Sequence, residues 1–337
     1  MSRIKQFAGK WKRKADRASL RAARRTRHAL GIPAGPTILM YHRFSEPDYD
    51  PWELIVTPQH FDEQLAWLKR RRTVLPLVEF ADLHRKNRLP RNAVALTMDD
   101  GYACNTENAE PILAAHGLPA TLFLTTGTVS NEREYWWDEL ERIVTTTPVT
   151  RMTANIAGQS YSFDLGPPTI QRQVSAEREA AYLALWKVLR PRPPEARPDL
   201  LAELAREHGV EPLTRRTHRI MTKAEVQALA ARGVISIGAH TVNHPPLSEL
   251  SREDQWNEII ASRAACAELI GSMPTTFAYP FGDYSDTSIE VVREIGFDAA
   301  VTTDHDVVRA SYDRLRLPRL QVGDWTADRL SHGLNAV

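Results

Sequence analysis

Ala93-Val94-Ala95-Leu96-Thr97-Met98-Asp99-Asp100-Gly101 is an apolar run of β-type residues that stops on two carboxylates and a glycine. A short continuous apolar run is what a strand buried on both faces requires. A helical pattern over residues 107–116, closed by Gly117, follows directly, and glycine is the expected residue just past a helix end. Strand then helix is the start of a parallel βα unit. Two adjacent acids at such a strand end can divide their labour, one binding a metal while the other moves protons. They can also do no more than cap the helix that follows.

The same rhythm recurs on both sides. Further β-type runs cover residues 37–42, 73–77, 120–125, 234–238, 275–279, 299–302 and 315–320. Helical patterns cover 57–71, 222–232 closed by Gly233, and 253–270 closed by Gly271. Thr222 with Glu225 three residues on reads as a capping box. Strands alternating with helices of this length predict parallel βα units, and seven or eight of them suit a barrel better than an open sheet. Barrel chemistry gathers at the C-terminal ends of strands, where loops from distant sequence converge.

One such end lies about 140 residues downstream of Asp100, where the run 234–238 passes into Ala239-His240-Thr241-Val242-Asn243-His244. Two imidazoles at HxxxH spacing can converge on one ion, although histidines are also common on surfaces. Catalytic zinc characteristically keeps three protein ligands and one open position. Asp100, His240 and His244 would fill that set, leaving Asp99 as base for the water. Thr241 and Asn243 are expected to brace the histidine loop through local hydrogen bonds.

With their surroundings these residues resemble the polysaccharide deacetylase family, the family four carbohydrate esterases. Its Thr-Phe-Asp-Asp-Gly is matched by Thr97-Met98-Asp99-Asp100-Gly101, its His-Ser/Thr-x-x-His by His240-Thr241-Val242-Asn243-His244, and its Pro-Tyr-Gly by Tyr279-Pro280-Phe281-Gly282. The opening Ile38-Leu39-Met40-Tyr41-His42 resembles the first strand of the poly-N-acetylglucosamine deacetylase branch. The resemblance implies an α/β fold, a distorted seven-stranded (β/α) barrel, with His42 as general acid and an oxyanion contact from Tyr279-Pro280-Phe281 through the backbone N–H at Phe281. It also implies a divalent metal, zinc first, with cobalt or nickel as alternatives. One departure matters: many relatives carry an arginine just before the third motif, where this chain has Phe277-Ala278-Tyr279-Pro280. Arg319, in Leu317-Pro318-Arg319-Leu320, is the candidate to supply that charge to Asp99.

The chain has 337 residues, 42% of them hydrophobic, enough for one barrel-sized domain or two ordinary ones. No run of about 18 apolar residues suggests a spanning helix. Cys104 and Cys266, the only cysteines, are too few for a disulfide framework and not spaced as zinc ligands. No glycine-rich phosphate loop follows a strand, and nothing points to nucleotide or nucleic-acid binding. The overall charge of +1 hides an asymmetry: residues 1–32 hold eleven Lys or Arg against one acid, a net +10 that leaves −9 for the rest. Ile4, Phe7 and Trp11 sit there at helical spacing, so the segment reads either as an amphipathic helix on an anionic membrane or as a basic tail. It lacks the apolar stretch of a secretory signal, which favours the cytoplasmic side, at the inner membrane face.

The expected organisation is a basic segment over 1–32, a barrel from 33–130 and 220–337, and a mainly helical insertion over 131–219. Its helical patterns cover 171–190 and 197–209, separated by Pro191-Arg192-Pro193-Pro194. Tyr135, Trp136, Trp137, Tyr161 and Trp186 could line a sugar or lipid groove or pack a helical core. Trp136, Trp137 and Asp138 are placed nearest the site. The function expected is hydrolysis of N-acetyl groups on an N-acetylhexosamine-containing glycan or lipid-linked sugar. Two other readings stay open: a hydrolase of some other amide, and a carbohydrate-binding relative that has lost catalysis.

Overall fold

The computed structural model describes residues 34–46, 49–170 and 173–336. The basic segment 1–32, and with it the membrane-helix reading, lies outside the described residues. Eight strands form one parallel sheet: β1 Thr37–Tyr41, β2 Thr73–Val74, β3 Ala93–Asp100, β4 Ala120–Leu124, β5 Ile235–Ala239, β6 Thr276–Ala278, β7 Ala299–Val301 and β8 Leu320–Gln321. Seven run in the order β7-β6-β5-β4-β3-β1-β8, with β2 laid against the start of β3.

The segment expected as one strand over 315–320 does two jobs. Leu317 bridges Val301 of β7 in parallel, and Leu320 pairs with Leu39 of β1. A single stretch therefore joins the two edges of the sheet and closes a seven-stranded distorted barrel. Arg319 sits in the seam.

Strand periodicity sorts the core into two layers. Ala93 and Ala95 of β3 cluster with Ile38, Phe123, Ala278 and Val301, the inner face. Val94, Leu96 and Met98 cluster with helix residues such as Phe61, Leu113, Leu229 and Ile259, the outer face. Continuing the inner alternation through Thr97 brings Asp99 inside the barrel mouth. Helices follow where start and stop signals stand: Thr57 caps Pro58–Arg71, the Thr222–Glu225 capping box opens Lys223–Arg232, and left-handed Gly271 ends Arg252–Ile270. Outside residues 131–219 three helices lie beyond the expected patterns: Leu77–Arg85, Asp286–Ile295 and Ala327–Ala336. The first claims Leu77, which the sequence pattern put in a strand.

Residues 131–219 add a hairpin to the expected helices. Helix Trp136–Thr146 leads into an antiparallel hairpin, Arg151–Ile156 with Gln159–Asp164, before helices Ala176–Leu189 and Arg197–Glu207. The hairpin strand 151–156 alternates exposed and buried residues, the pattern of a sheet wet on one side. These elements share a core of their own, around Leu140, Ile156, Tyr182, Leu185 and Leu201. Trp136 and Trp186 pack on both that core and the barrel's. Both cysteines are free and buried. Among the described residues no helix is long and apolar enough to cross a membrane.

Candidate active site

Asp99 and Asp100 are adjacent in β3, yet they face different partners. The Arg319 guanidinium grips Asp99 with two parallel bonds, Nη1 to Oδ1 and Nη2 to Oδ2, both 2.7 Å. Arg319 is fully buried, and its remaining donors reach Thr302 O at 2.8 Å and Thr97 Oγ1 at 3.1 Å. Burial pushes the Asp99 carboxyl up, but the Arg319 charge and its hydrogen bonds outweigh it and hold the group well below the usual carboxylate range. The charge absent before Phe277 thus arrives from the barrel seam.

Asp100 turns the other way because its backbone leaves the strand. Its φ is 79°, a left-handed value for a residue that is not glycine. The Tyr135 hydroxyl donates to its carbonyl at 2.7 Å and holds that conformation. Tyr135, considered from sequence as a groove aromatic, is instead a brace.

His240 and His244 meet Asp100 from the loop after β5. Nε2 of His240 lies 3.6 Å and Nε2 of His244 3.4 Å from Asp100 Oδ1, and the two nitrogens are 3.1 Å apart. Thr241, at φ 65°, and His244, at φ 53°, make the loop turn back on itself. Its ties are Thr241 Oγ1 accepting from His244 N at 3.0 Å and Glu258 accepting from the N–H groups of Val242 and Asn243, both at 2.9 Å. Glu258, on the helix that follows, gave no signal in the sequence.

The chemistry of these donors fits a divalent cation. Nδ1 of His240 is 2.8 Å from Ala278 O, which assigns the proton to Nδ1 and leaves the Nε2 lone pair facing inward. Burial, then His240 nearby, pulls His244 down to about 3, so its ring is held neutral. Its Nδ1 is buried without a partner. The His240 lone pair, the His244 ring nitrogen and a carboxylate oxygen, all within 4.8 Å of one another, make an N, N, O donor set of the kind a divalent cation takes.

His42, one residue past β1, places Nε2 3.9 Å from Asp99 Oδ2, and its carbonyl accepts from Asn105 Nδ2 at 2.8 Å. Beyond β6, Phe281 has φ 57°. The N–H groups of Tyr279, Gly282 and Asp283 go to Val301, Tyr279 and Pro280, a set that does not include the N–H of Phe281. Gly282 must be glycine: at φ 66°, an added Cβ would stand 1.8 Å from Thr303 Oγ1.

These groups line a cavity of about 280 Å³ with one polar and one aromatic wall. Two roomier surface hollows, about 640 and 560 Å³, hold neither the triad nor Asp99; donor chemistry, not size, picks the site. Of Trp136, Trp137 and Asp138, only Trp137 reaches the cavity, its ring 5.0 Å from that of His244. Trp136 packs between the two cores. Asp138 is buried against Tyr102, whose hydroxyl donates to it at 2.7 Å. Their helix turns the three side chains in different directions, so sequence adjacency did not become site adjacency. The Tyr279 side chain is likewise committed to structure, its hydroxyl donating to Leu315 O at 2.9 Å. Trp52, Trp186, Arg190 and Gln321 also line the cavity; of these only Trp186 was considered from the sequence.

The family model described as "Polysaccharide deacetylase" matches residues 86–212 and 162–300, overlapping spans that together cover more than half of the chain. YxkH of Bacillus subtilis (strain 168), a protein named after the same family, is 19% identical over 292 residues, 86% of this chain and 72% of that protein. The poly-beta-1,6-N-acetyl-D-glucosamine N-deacetylase of Staphylococcus aureus (strain MSSA476) is 34% identical over 88 residues, 26% of this chain and only 30% of that enzyme. The Streptococcus pyogenes deacetylase PplD in complex with acetate shares the fold, with a TM-score of 0.59 at 21% identity over 90% of this chain and 99% of that one.

Proposed function

The chain belongs to the polysaccharide deacetylase family, and on that premise we propose that it is a metal-dependent hydrolase of N-acetyl groups on an N-acetylhexosamine-containing glycan. The observation that carries this reading is the split between the two acids: Asp99 bound to Arg319, Asp100 facing His240 and His244. Asp100, His240 and His244 would hold the ion, zinc before cobalt or nickel. Bound there, a divalent ion polarises the acetyl carbonyl and acidifies water.

The protein's own groups supply the rest. Asp99 takes the proton of the attacking water; Arg319 keeps it ionised and fixes both oxygens, so that it is aimed before substrate arrives. His42 donates a proton to the departing amine nitrogen, a task suited to an imidazole. The N–H of Phe281 faces the oxygen that gains charge. Trp137 and Phe281 exclude water and present an apolar wall opposite the carboxylates, as a sugar with apolar faces and a polar edge requires.

Arg319 removes the motive for regarding the chain as an inactive binding relative, because the charge missing before Phe277 is present in space. The test is acetate release from N-acetylglucosamine oligomers before chelation, after it, and after zinc is restored. Release should fall to background and return. Release that ignores the chelator removes the metal from the reaction. No acetate from any N-acetylated glycan sinks the sugar assignment and turns the search to other amides.

A further inference from the structure

Among the described residues the exposed large apolar side chains are Trp52, Val78, Ile170, Leu213, Ile260 and Met273, and Trp52 is the one aromatic. It is also the one that lines the catalytic cavity. At 36% exposure its indole gains less from burial than a core ring would, yet the loop holds it rigidly. Its Nε1 donates to the Tyr182 hydroxyl at 2.9 Å, and Gln321 Nε2 donates to the carbonyls of Trp52 at 2.8 Å and Glu53 at 3.1 Å. Glu53 adopts φ 52°, and Asp50 Oδ2 accepts from Ile55 N at 2.7 Å. A left-handed residue and four hydrogen bonds, none of them in the core, thus fix a loop that keeps one aromatic face in water, a feature to read as a hypothesis of binding.

The ring is not isolated. From His244, ring-to-ring steps of 4.3 Å to Phe281, 5.7 Å to Trp186 and 5.1 Å to Trp52 trace an aromatic wall from the triad to the rim. Phe281 and Trp137 flank His244 and so frame the reacting unit, while Trp52 stands two rings beyond Phe281. We infer that Trp52, backed by Trp186, is the stacking platform for a second pyranose, joined to the sugar whose N-acetyl group faces the triad. The deacetylase reading underlies this assignment. It makes the preferred substrate an oligomer and gives the insertion, which supplies Trp186 and Tyr182, a part in choosing it. Stacking on a membrane fits less well, since the other exposed apolar side chains do not line this rim.

The experiment compares the zinc-loaded full chain with Trp52→Ala and Trp52→Phe on monomeric N-acetylglucosamine and on its β-1,4- and β-1,6-linked pentamers. Wild type should prefer a pentamer. In Trp52→Ala the pentamer-to-monomer ratio of kcat/KM should fall about tenfold, mainly through KM, while Trp52→Phe keeps most of it. An unchanged ratio overturns the platform and leaves the deacetylase reading standing. Should wild type release no acetate at all, the deacetylase reading falls, and pentamer titration followed by tryptophan fluorescence still decides the platform: about tenfold weaker binding in Trp52→Ala supports it, equal binding overturns it. If the alanine variant does not fold, Trp52→Leu supplies bulk without an aromatic face and is held to the same criteria. Lost binding to anionic vesicles with an unchanged pentamer ratio assigns the ring to membranes and overturns the proposal.

Discussion

Asp99 and Arg319 form a buried, bidentate pair, and the cost of breaking such a pair depends on which half is removed. Taking away Arg319 leaves a carboxylate in a fully buried place, a change that costs about 3–5 kcal/mol where such pairs have been cut. Arg319→Met should therefore lower the urea midpoint strongly, whereas Arg319→Met with Asp99→Asn should recover most of that loss while remaining inactive. Recovery of turnover in the double variant would remove Asp99 from the base role. Asp99→Asn alone should lower kcat by about 10²–10⁴-fold without changing the zinc content measured on the purified protein. Both acids were legible from sequence as functional candidates. Their candidate partners were named there too, the two histidines for Asp100 and Arg319 for Asp99; the bidentate contact itself spans 220 positions, and only barrel closure makes it.

Each strand sets the height of the candidate ligand at its end, and β5 packs between its neighbours through a glycine. A Cβ on Gly238 would stand 2.5 Å from the Phe123 ring and 2.7 Å from Thr276 Oγ1, one from each neighbouring strand. Gly238→Ala must push β5 away from both, at about 1–3 kcal/mol for overpacking of this kind. Since His240 stands two residues further on, the variant should also bind zinc more weakly. A denaturation midpoint equal to wild type would show that the sheet yields freely and would refute this. Element positions followed the apolar runs and glycine stops closely. The hairpin at residues 151–164 was missed because its wet, alternating strand lies in a stretch rich in helical neighbours.

The barrel and the insertion meet through buried charge, and that contact contributes a pH dependence of its own to the stability of the whole molecule. Asp138, at the start of helix Trp136–Thr146, is pushed up to about 7 by burial, against the pull of Arg43 3.9 Å away and the Tyr102 hydroxyl. An acid that binds its proton more tightly when folded stabilises the fold below the unfolded value of 3.8, and that stability is lost as pH rises through about 7. Three pH units correspond to at most ~4 kcal/mol. Relative to wild type, the Tm of Asp138→Asn should thus rise steadily as pH goes from 4 to 7, whatever the other groups do to both proteins. Parallel curves for the two proteins would show that Asp138 titrates normally. The stake is functional as well, since Tyr102, which donates to Asp138, accepts from the Trp137 indole in the cavity wall at 3.0 Å.

The sequence by itself determined the βα rhythm, the acids at the end of β3 and the paired histidines after β5, because periodicity, glycine stops and the HxxxH spacing are local properties. Tertiary structure alone decided that Arg319 grips both oxygens of Asp99, which of Trp136, Trp137 and Asp138 reaches the cavity, and that Trp52 and Trp186 complete its wall. Those outcomes depend on barrel closure at the Arg319 seam and on how the insertion packs. Both are set by contacts between residues far apart in the chain, and no short-range pattern encodes them.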